Sequence, residues 1–76
     1  MSVPIKIPKL GLAMTEGILV EWLVDDGQAV SIGEPLYRLE TDKVENDVEA
    51  AASGVIRHAA VEGETYPVGT TVGEIL

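Results

Sequence analysis

The chain has 76 residues, no cysteine and one histidine, and its thirteen acidic residues against five basic ones give a formal net charge of -8. This length predicts one small domain over residues 1–76, which buries roughly 60% of its unfolded surface and leaves little room for an ordinary catalytic cleft. The lack of cysteine excludes disulfides and thiolate metal sites, a single histidine argues against any metal centre, and the negative charge argues against nucleic acid or an acidic membrane as a partner.

No apolar run is long enough to span a membrane, and residues 1–8 lack the charged segment and apolar core of a signal peptide. These features predict a soluble, acidic, intracellular protein. The isolated domain is expected to be monomeric.

Short apolar runs rich in β-branched residues follow each other along the chain and are separated by glycine and proline. No segment keeps helical periodicity for three turns, and the alanines at 50–52 are too few to sustain a helix before Gly54. The pattern predicts an all-β fold of many short strands in a sandwich or barrel. The apolar runs lie at 18–20, 23–24, 30–32, 36–39, 44–48, 55–56, 68 and 72–75.

The glycine spacing repeats between the two halves of the chain. With one residue deleted near Asp26, the first half aligns with the second, and apolar positions agree along with the glycines. Glycine is frequent in β proteins, so chance is the competing explanation, but the joint agreement predicts two halves related by a pseudo-two-fold axis. We expect the matching turn glycines to adopt positive φ. The matched pairs are Gly17 with Gly54, Gly27 with Gly63, Gly33 with Gly69, Val24 with Val61, Gln28 with Glu64 and Ile32 with Val68.

Lys43 is the one cation in a run, residues 39–49, that also holds five carboxylates. A strand pattern enters this run, stops at Asp42-Lys43 and resumes on the other side. Asp at the first central position suits a type I turn, so the pattern predicts a hairpin that displays one amine at its tip. A lysine on an acidic surface is ordinarily a solvated charge, whereas an amine isolated in a turn is easily found by a modifying enzyme.

Placing the turn centre in the middle of this dipeptide fixes the pairing of the flanking strands. Arg38 then faces Asp47 favourably, whereas Glu40 faces Glu45, and like charges opposite each other cost on the order of a few tenths of a kcal/mol. That cost is tolerable if this end of the hairpin projects into water. We therefore interpret Glu40 and Glu45 as solubility charges first and recognition groups second. The same register pairs Thr41 with Val44 and Leu39 with Asn46.

The remaining candidate residues favour structural roles. Trp22 alternates with its neighbours and is predicted to lie in the core, and His58, without a second base or nucleophile, is predicted to lie isolated at the surface. Leu10, Leu12 and Met14 form an apolar loop between the first two predicted strands, and such residues more often anchor a loop than bind a ligand. The sequence shows no nucleophile–base set, which opposes an enzyme.

Taken together, these motifs resemble the lipoyl domains of the 2-oxo acid dehydrogenase complexes, over essentially the whole chain and without a large insertion. Glycines lie 16 and 10 residues before Lys43 and 11 residues after it, and this spacing is more specific than the Asp-Lys pair alone. The segments that carry the resemblance are Pro8-Lys9-Leu10-Gly11, Met14-Thr15-Glu16-Gly17, Gly27-Gln28-Ala29-Val30, Gly33-Glu34-Pro35-Leu36, Leu39-Glu40-Thr41-Asp42-Lys43-Val44, Val48-Glu49-Ala50 and Gly54-Val55-Ile56.

The resemblance implies a flattened barrel of two four-stranded antiparallel sheets, with the termini at one end and the lysine at the other. It implies a non-catalytic carrier, in which Lys43 becomes N6-lipoyllysine through an amide to lipoate. The arm carries acyl groups and electrons between the components of a complex. The chain is expected to be either an excised N-terminal domain, with a dihydrolipoamide acyltransferase as its parent chain, or a free-standing carrier. The resemblance implies a location in the cytoplasm of a bacterium, or in the mitochondrial matrix of a eukaryote.

The implied partners are a lipoate ligase or lipoyl transferase, a 2-oxo acid decarboxylase, the acyltransferase core and dihydrolipoamide dehydrogenase. Asp42 is either a turn former or an orientation marker for the ligase and decarboxylase, and Val44 belongs to the same recognition sequence. In the resembling domains the loop that corresponds to Leu10, Leu12 and Met14 lies beside the lysine hairpin and helps to select the decarboxylase.

Two other carriers or modules share this kind of fold. Biotinyl domains place methionine on both sides of the modified lysine, whereas the neighbours here are Asp42 and Val44, so the resemblance favours lipoate over biotin. An unmodified lipoyl-like structural module would not require Lys43 in the turn. The acyl group stays open, because the N-terminal stretch resembles acetyltransferase components of pyruvate and acetoin systems, while the residues around Lys43 also occur in 2-oxoglutarate systems.

Overall fold

The eight strands of this protein are short and are linked by turns that centre on glycine. The computed structural model describes residues 2–9, 14–41 and 44–76, and within those ranges there is no helix with the length and hydropathy of a membrane span. The strands are β1 (Val3–Lys6), β2 (Glu16–Trp22), β3 (Ala29–Val30), β4 (Pro35–Glu40), β5 (Glu45–Glu49), β6 (Gly54–His58), β7 (Glu64–Pro67) and β8 (Thr71–Ile75).

The strands form two four-stranded antiparallel sheets, which confirms the predicted all-β class. One sheet has the order β1-β8-β6-β3, and we call it the terminal sheet because Val3 pairs with Ile75 and so brings the two ends of the chain together. The other has the order β5-β4-β2-β7, and we call it the hairpin sheet because it contains the β4–β5 hairpin.

The core lies between the two sheets and follows from the alternation of side chains along each strand. In β2, Gly17 and Leu19 are buried whereas Ile18 between them is exposed. In β4, Tyr37 and Leu39 point inward and are fully buried. The buried apolar residues are Ile5, Ile7, Leu19, Val24, Val30, Leu36, Tyr37, Leu39, Ala50, Ile56, Val72 and Ile75.

The predicted repeat is confirmed by the turns and by the sheet orders. Exchanging β2 with β6, β3 with β7, β4 with β8 and β5 with β1 converts the order of the hairpin sheet into that of the terminal sheet. Among the described residues, φ is positive only at Gly27 (87°), Gly33 (87°), Gly63 (84°) and Gly69 (90°). A Cβ at any of these four would meet nothing within 4 Å, so the backbone conformation, and not crowding, requires glycine there.

Equivalent hydrogen bonds join each half of the chain to the other. The Gly27 N–H donates to the Ile56 carbonyl at 2.8 Å, and the Gly63 N–H donates to the Leu19 carbonyl at 2.7 Å. Since Ile56 and Leu19 occupy matching places in β6 and β2, the bonds are related by the pseudo-two-fold axis. A second matched pair lies within the halves: the Gly33 N–H donates to the Ala50 carbonyl (2.9 Å), and the Gly69 N–H donates to the Ile7 carbonyl (3.0 Å).

An acidic residue precedes Gly27 and another precedes Gly63, and each strengthens the contact between the two halves of the chain. Asp26 Oδ1 accepts the His58 N–H at 2.8 Å, and Glu62 Oε2 accepts the Trp22 N–H at 2.8 Å. Each carboxylate thus accepts a backbone amide at the end of a strand from the other half, where the ladder gives that amide no carbonyl. A charged acceptor makes these bonds stronger than neutral ones.

The prediction that His58 lies isolated at the surface is wrong. Its ring is half-buried and stacks on the Trp22 indole with 3.9 Å between centroids and 10° between planes. Trp22 itself is partly buried and packs against the core, with an edge contact to Tyr37 at 5.3 Å. His58 Nε2 is buried and has no hydrogen-bond partner among the described residues.

The two halves differ where their connections differ in length. Ile32 is 70% exposed, whereas its counterpart Val68 packs partly against the core. The Val68 N–H donates to the Thr15 carbonyl in the long β1–β2 connection, while the Ile32 N–H donates only to the Ser53 hydroxyl in the short β5–β6 connection. The repeat therefore holds for the backbone turns but not for every apolar position.

Candidate functional site

The β4–β5 hairpin has the register predicted from its charges. Its strands are antiparallel, Arg38 faces Asp47, and Glu40 faces Glu45. Beyond this last pair, the Thr41 N–H donates to the Val44 carbonyl at 2.8 Å. The Thr41 hydroxyl lies 3.3 Å from the same oxygen.

This register leaves Asp42 and Lys43 as the two residues that connect the bonded Thr41 and Val44. Asp42 and Lys43 lie outside the described residues, so their predicted roles stay predictions. Their described neighbours Glu40, Val44 and Glu45 are exposed, and Thr41 is half-buried. The last residue of β4 and the first residue of β5, which border this connection, thus both face water.

The opposed acids of the hairpin are partly compensated by one guanidinium. Arg38 Nε lies 3.7 Å from Glu45 Oε1 and 3.6 Å from Asp47 Oδ1, and Arg38 Nη1 lies 3.2 Å from Glu21 Oε1 on β2. The pair with Asp47 was predicted. The contact with Glu21 was not, since a β-bulge between Leu19 and Glu21 sets the β2–β4 register at this point.

The other two lysines occupy different surroundings. Lys6 is exposed at the end of β1, opposite Thr71 of β8, and Lys9 is exposed in the stretch that follows. Neither lies in a short connection between two paired strands. Lys43 differs from both in its place in the sequence, because it falls between the two strands of the β4–β5 hairpin.

The predicted apolar loop is described only in part, since Leu10 and Leu12 lie outside the described residues. Met14 is half-buried and packs against the core. A Cβ added at Gly17 would lie 3.2 Å from Met14 Cε and 2.7 Å from Leu39 Cδ1. Met14 therefore anchors this end of the loop, while the suggested part of the loop in partner selection stays a prediction.

Comparison with known proteins agrees with this geometry. Residues 3–75 match the profile of the biotin/lipoyl family, described as biotin-requiring enzyme. The solution structure of the lipoyl domain of the 2-oxoglutarate dehydrogenase complex from Azotobacter vinelandii superposes with a TM-score of 0.79 at 33% identity, covering 97% of this chain and 95% of that one. The chain belongs to the biotin/lipoyl family, as a lipoyl domain.

Similar curated proteins are acyltransferase components of several complexes. The lipoyl domain is 42% identical over 72 residues to the dihydrolipoyllysine-residue acetyltransferase component of the acetoin cleaving system of Cupriavidus necator, covering 93% of this chain and 19% of that protein. It is 39% identical over 72 residues to the dihydrolipoyllysine-residue succinyltransferase component of the 2-oxoglutarate dehydrogenase complex of Staphylococcus saprophyticus, covering 93% of this chain and 17% of that protein. The chain thus spans less than a fifth of the length of these relatives.

Tyr37 connects the hairpin of the lipoyl domain to its core. The ring is fully buried in β4, and its hydroxyl lies 3.4 Å from the Lys6 carbonyl on β1. Burial raises the pKa of Tyr37 to about 12. Of the residues that the structure describes, no three His, Cys, Asp or Glu side chains lie close enough to hold a metal ion.

We expect the lipoyl domain to lose stability at alkaline pH through Tyr37. The pKa is about 12 in the folded state against 10.0 ordinarily, so between these values the folded state binds more protons than the unfolded one. This contribution is complete below pH 10 and is lost as the pH rises through 12. Absorbance titration of Tyr66→Phe, which isolates the Tyr37 phenol, should give the high pKa. A Tyr37 that titrated at its ordinary value without unfolding would contradict this.

Proposed function

We propose that this lipoyl domain is a non-catalytic carrier whose Lys43 amine is joined by an amide to lipoate. The observation that carries the proposal is the register of the β4–β5 hairpin, in which the Thr41–Val44 bond leaves only Asp42-Lys43 in the connection. The names of the relatives, each a dihydrolipoyllysine-residue component, support lipoate as the attached group.

The described surroundings of the connection fit such an arm. Glu40 and Glu45 are exposed, and even the apolar side chain of Val44 is 48% exposed. These flanking residues therefore form no pocket that would retain the lysine. An amide removes the lysine charge, and an extended lipoyllysine reaches on the order of 15 Å from its Cα. A rigid sheet with an exposed hairpin is suited to presenting an arm of that length.

The cofactor and the protein divide the work between them. When bound, lipoate supplies the dithiolane that carries acyl groups and electrons. The hairpin sheet supplies position: buried Tyr37 and Leu39 fix β4, and the backbone ladder fixes β5 on it. Nothing in this division requires a nucleophile or a base from the domain.

The proposed partners follow from this role and from the relatives. They are a lipoate ligase or lipoyl transferase that loads the arm, a 2-oxo acid decarboxylase, an acyltransferase core and dihydrolipoamide dehydrogenase. We propose that the parent chain is a dihydrolipoamide acyltransferase of a pyruvate-, acetoin- or 2-oxoglutarate-type complex. The proposed recognition residues are Glu40, Asp42, Val44 and Glu45 near the lysine, and Leu10, Leu12 and Met14 in the β1–β2 connection.

The carrier role is tested by offering the loaded domain to 2-oxo acid decarboxylases with labelled substrate. We expect the loaded domain, and not the bare one, to acquire the acyl label from a decarboxylase of one of these types. The preferred decarboxylase identifies the acyl group. A loaded domain that acquired label from none of them would contradict the proposal.

The acidic residues around Lys43 are expected to affect the rate at which a decarboxylase acylates the lipoylated domain, and not the folding of the domain. Asp42→Asn should leave the melting temperature unchanged, since we expect Asp42 to face water and exposed charges contribute only about 0–1 kcal/mol to stability. It should slow acylation at low ionic strength by up to about tenfold, and the difference should shrink with added salt. Asp25→Asn, which removes the same charge from a different turn, is the matched control. Normal acylation of Asp42→Asn at low salt would leave Asp42 as a turn former only.

A further inference from the structure

The outer strand of the hairpin has little apolar anchorage. β5 is the edge of its sheet and contains no fully buried residue, and Val48 is its one half-buried side chain. The pseudo-two-fold axis relates Val48 to Ile5 of β1, which is only 6% exposed. A cleft of about 110 Å³ separates the edges of β1 and β5, and both side chains line it. Packing on the inner face therefore holds β5 less firmly than it holds β1.

The outer face of the same sheet supplies a different attachment. Arg38 is the one basic side chain on the described strands β2, β4, β5 and β7. It lies within 4 Å of Glu45 and Asp47 on β5 and of Glu21 on β2, so one guanidinium joins three neighbouring strands. Two of its three partners belong to β5, whose own side chains include no buried one.

We propose that Arg38 is a positioning residue for lipoylation, which holds β5 in register and thereby fixes the connection that presents Lys43. A shift of register by one residue would move every β5 side chain to the opposite face and would remove the Thr41–Val44 bond. The planar guanidinium can donate to several carboxylates in fixed directions, which a lysine ammonium at the same place cannot do equally well. The functional part of this inference rests on the proposed carrier function.

The test compares Arg38→Gln with Arg57→Gln, which makes the same change of charge at an exposed residue of β6 in the terminal sheet. Loss of these ion pairs should raise the amide exchange rates of residues 45–49 by about fivefold and leave those of β8 unchanged. The KM of a lipoate ligase for the bare domain should rise as 1/f, where f is the fraction of molecules that hold the competent register, with kcat unchanged.

Two additional measurements sharpen the comparison. Raising the salt concentration should give the wild-type domain the exchange behaviour of Arg38→Gln, because salt screens exposed ion pairs. Arg38→Lys should lie between wild type and Arg38→Gln. Arg57→Gln should change neither the exchange of β5 nor the KM.

Three outcomes would overturn the inference. They are unchanged exchange of residues 45–49 in Arg38→Gln, a uniform rise in exchange over all strands, and an equal rise of KM in Arg57→Gln. The exchange measurement needs no ligase, so it decides the structural part even if the wild-type domain accepts no lipoate. A wild-type domain that accepted no lipoate would contradict the proposed function, and not the role of Arg38 in holding β5.

Discussion

The Lys43→Arg variant is expected to accept no lipoate while it keeps its fold. Arginine retains the positive charge and much of the length of the side chain, so the acidic hairpin keeps its cation. The guanidinium stays protonated at any pH that the protein survives and offers no nucleophilic amine for amide formation. Intact mass after reaction with a lipoate ligase should therefore show complete loss of the added lipoyl group, with an unchanged melting temperature.

Lys6→Arg and Lys9→Arg are the matched controls for this loss. Both lysines are exposed but lie outside the hairpin, so each variant should accept lipoate as the wild type does. A Lys43→Arg variant that still gained one lipoyl group would show that the ligase uses another amine. The interpretation of the β4–β5 connection as the attachment site would then be wrong.

A large loss of stability is expected from Gly73→Ala. Gly73 is buried in β8, where an added Cβ would lie 2.6 Å from the Arg57 carbonyl oxygen of β6 and 3.4 Å from Trp22 Cη2. The near atom belongs to the backbone of a paired strand, so relief requires β6 and β8 to separate. Overpacking of this kind costs about 3 kcal/mol, a large share of the stability of a small domain. Urea unfolding monitored by Trp22 fluorescence measures it.

Gly63→Ala separates crowding from backbone strain. A Cβ there meets nothing within 4 Å, and only the φ of 84° opposes it. The expected cost is about 1 kcal/mol. Equal losses in the two variants would show that the approach of β6 to Gly73 is looser than described.

Much of the fold could be predicted because the decisive residues act locally. Glycine is needed wherever φ is positive, so the spacing of Gly27 and Gly33 against Gly63 and Gly69 reveals the repeat before any contact is known. The register of the hairpin is visible for a similar reason, since a tight connection at Asp42-Lys43 determines which residues face each other, and Arg38 opposite Asp47 agrees with it.

The parts that were missed depend on contacts between distant segments. The ion pair of Arg38 with Glu21 requires the β2–β4 register and its bulge, which no local pattern specifies. The stacking of His58 on Trp22 requires the second half of the chain to fold over the first. Nothing near His58 in sequence indicates an aromatic partner.

Peptide mapping of the wild-type domain tests the central claim most directly. The domain is reacted with ATP, lipoate and biotin in the presence of both ligases and is then digested with trypsin. Trypsin does not cleave after an acylated lysine, so modified Lys43 would lie within a peptide of residues 39–57, between the cleavage sites at Arg38 and Arg57. We predict one lipoyl group per chain, all of it in that peptide. Lipoate on Lys6 or Lys9, biotin in place of lipoate, or no modification at all would contradict the assignment of Lys43 as the carrier lysine.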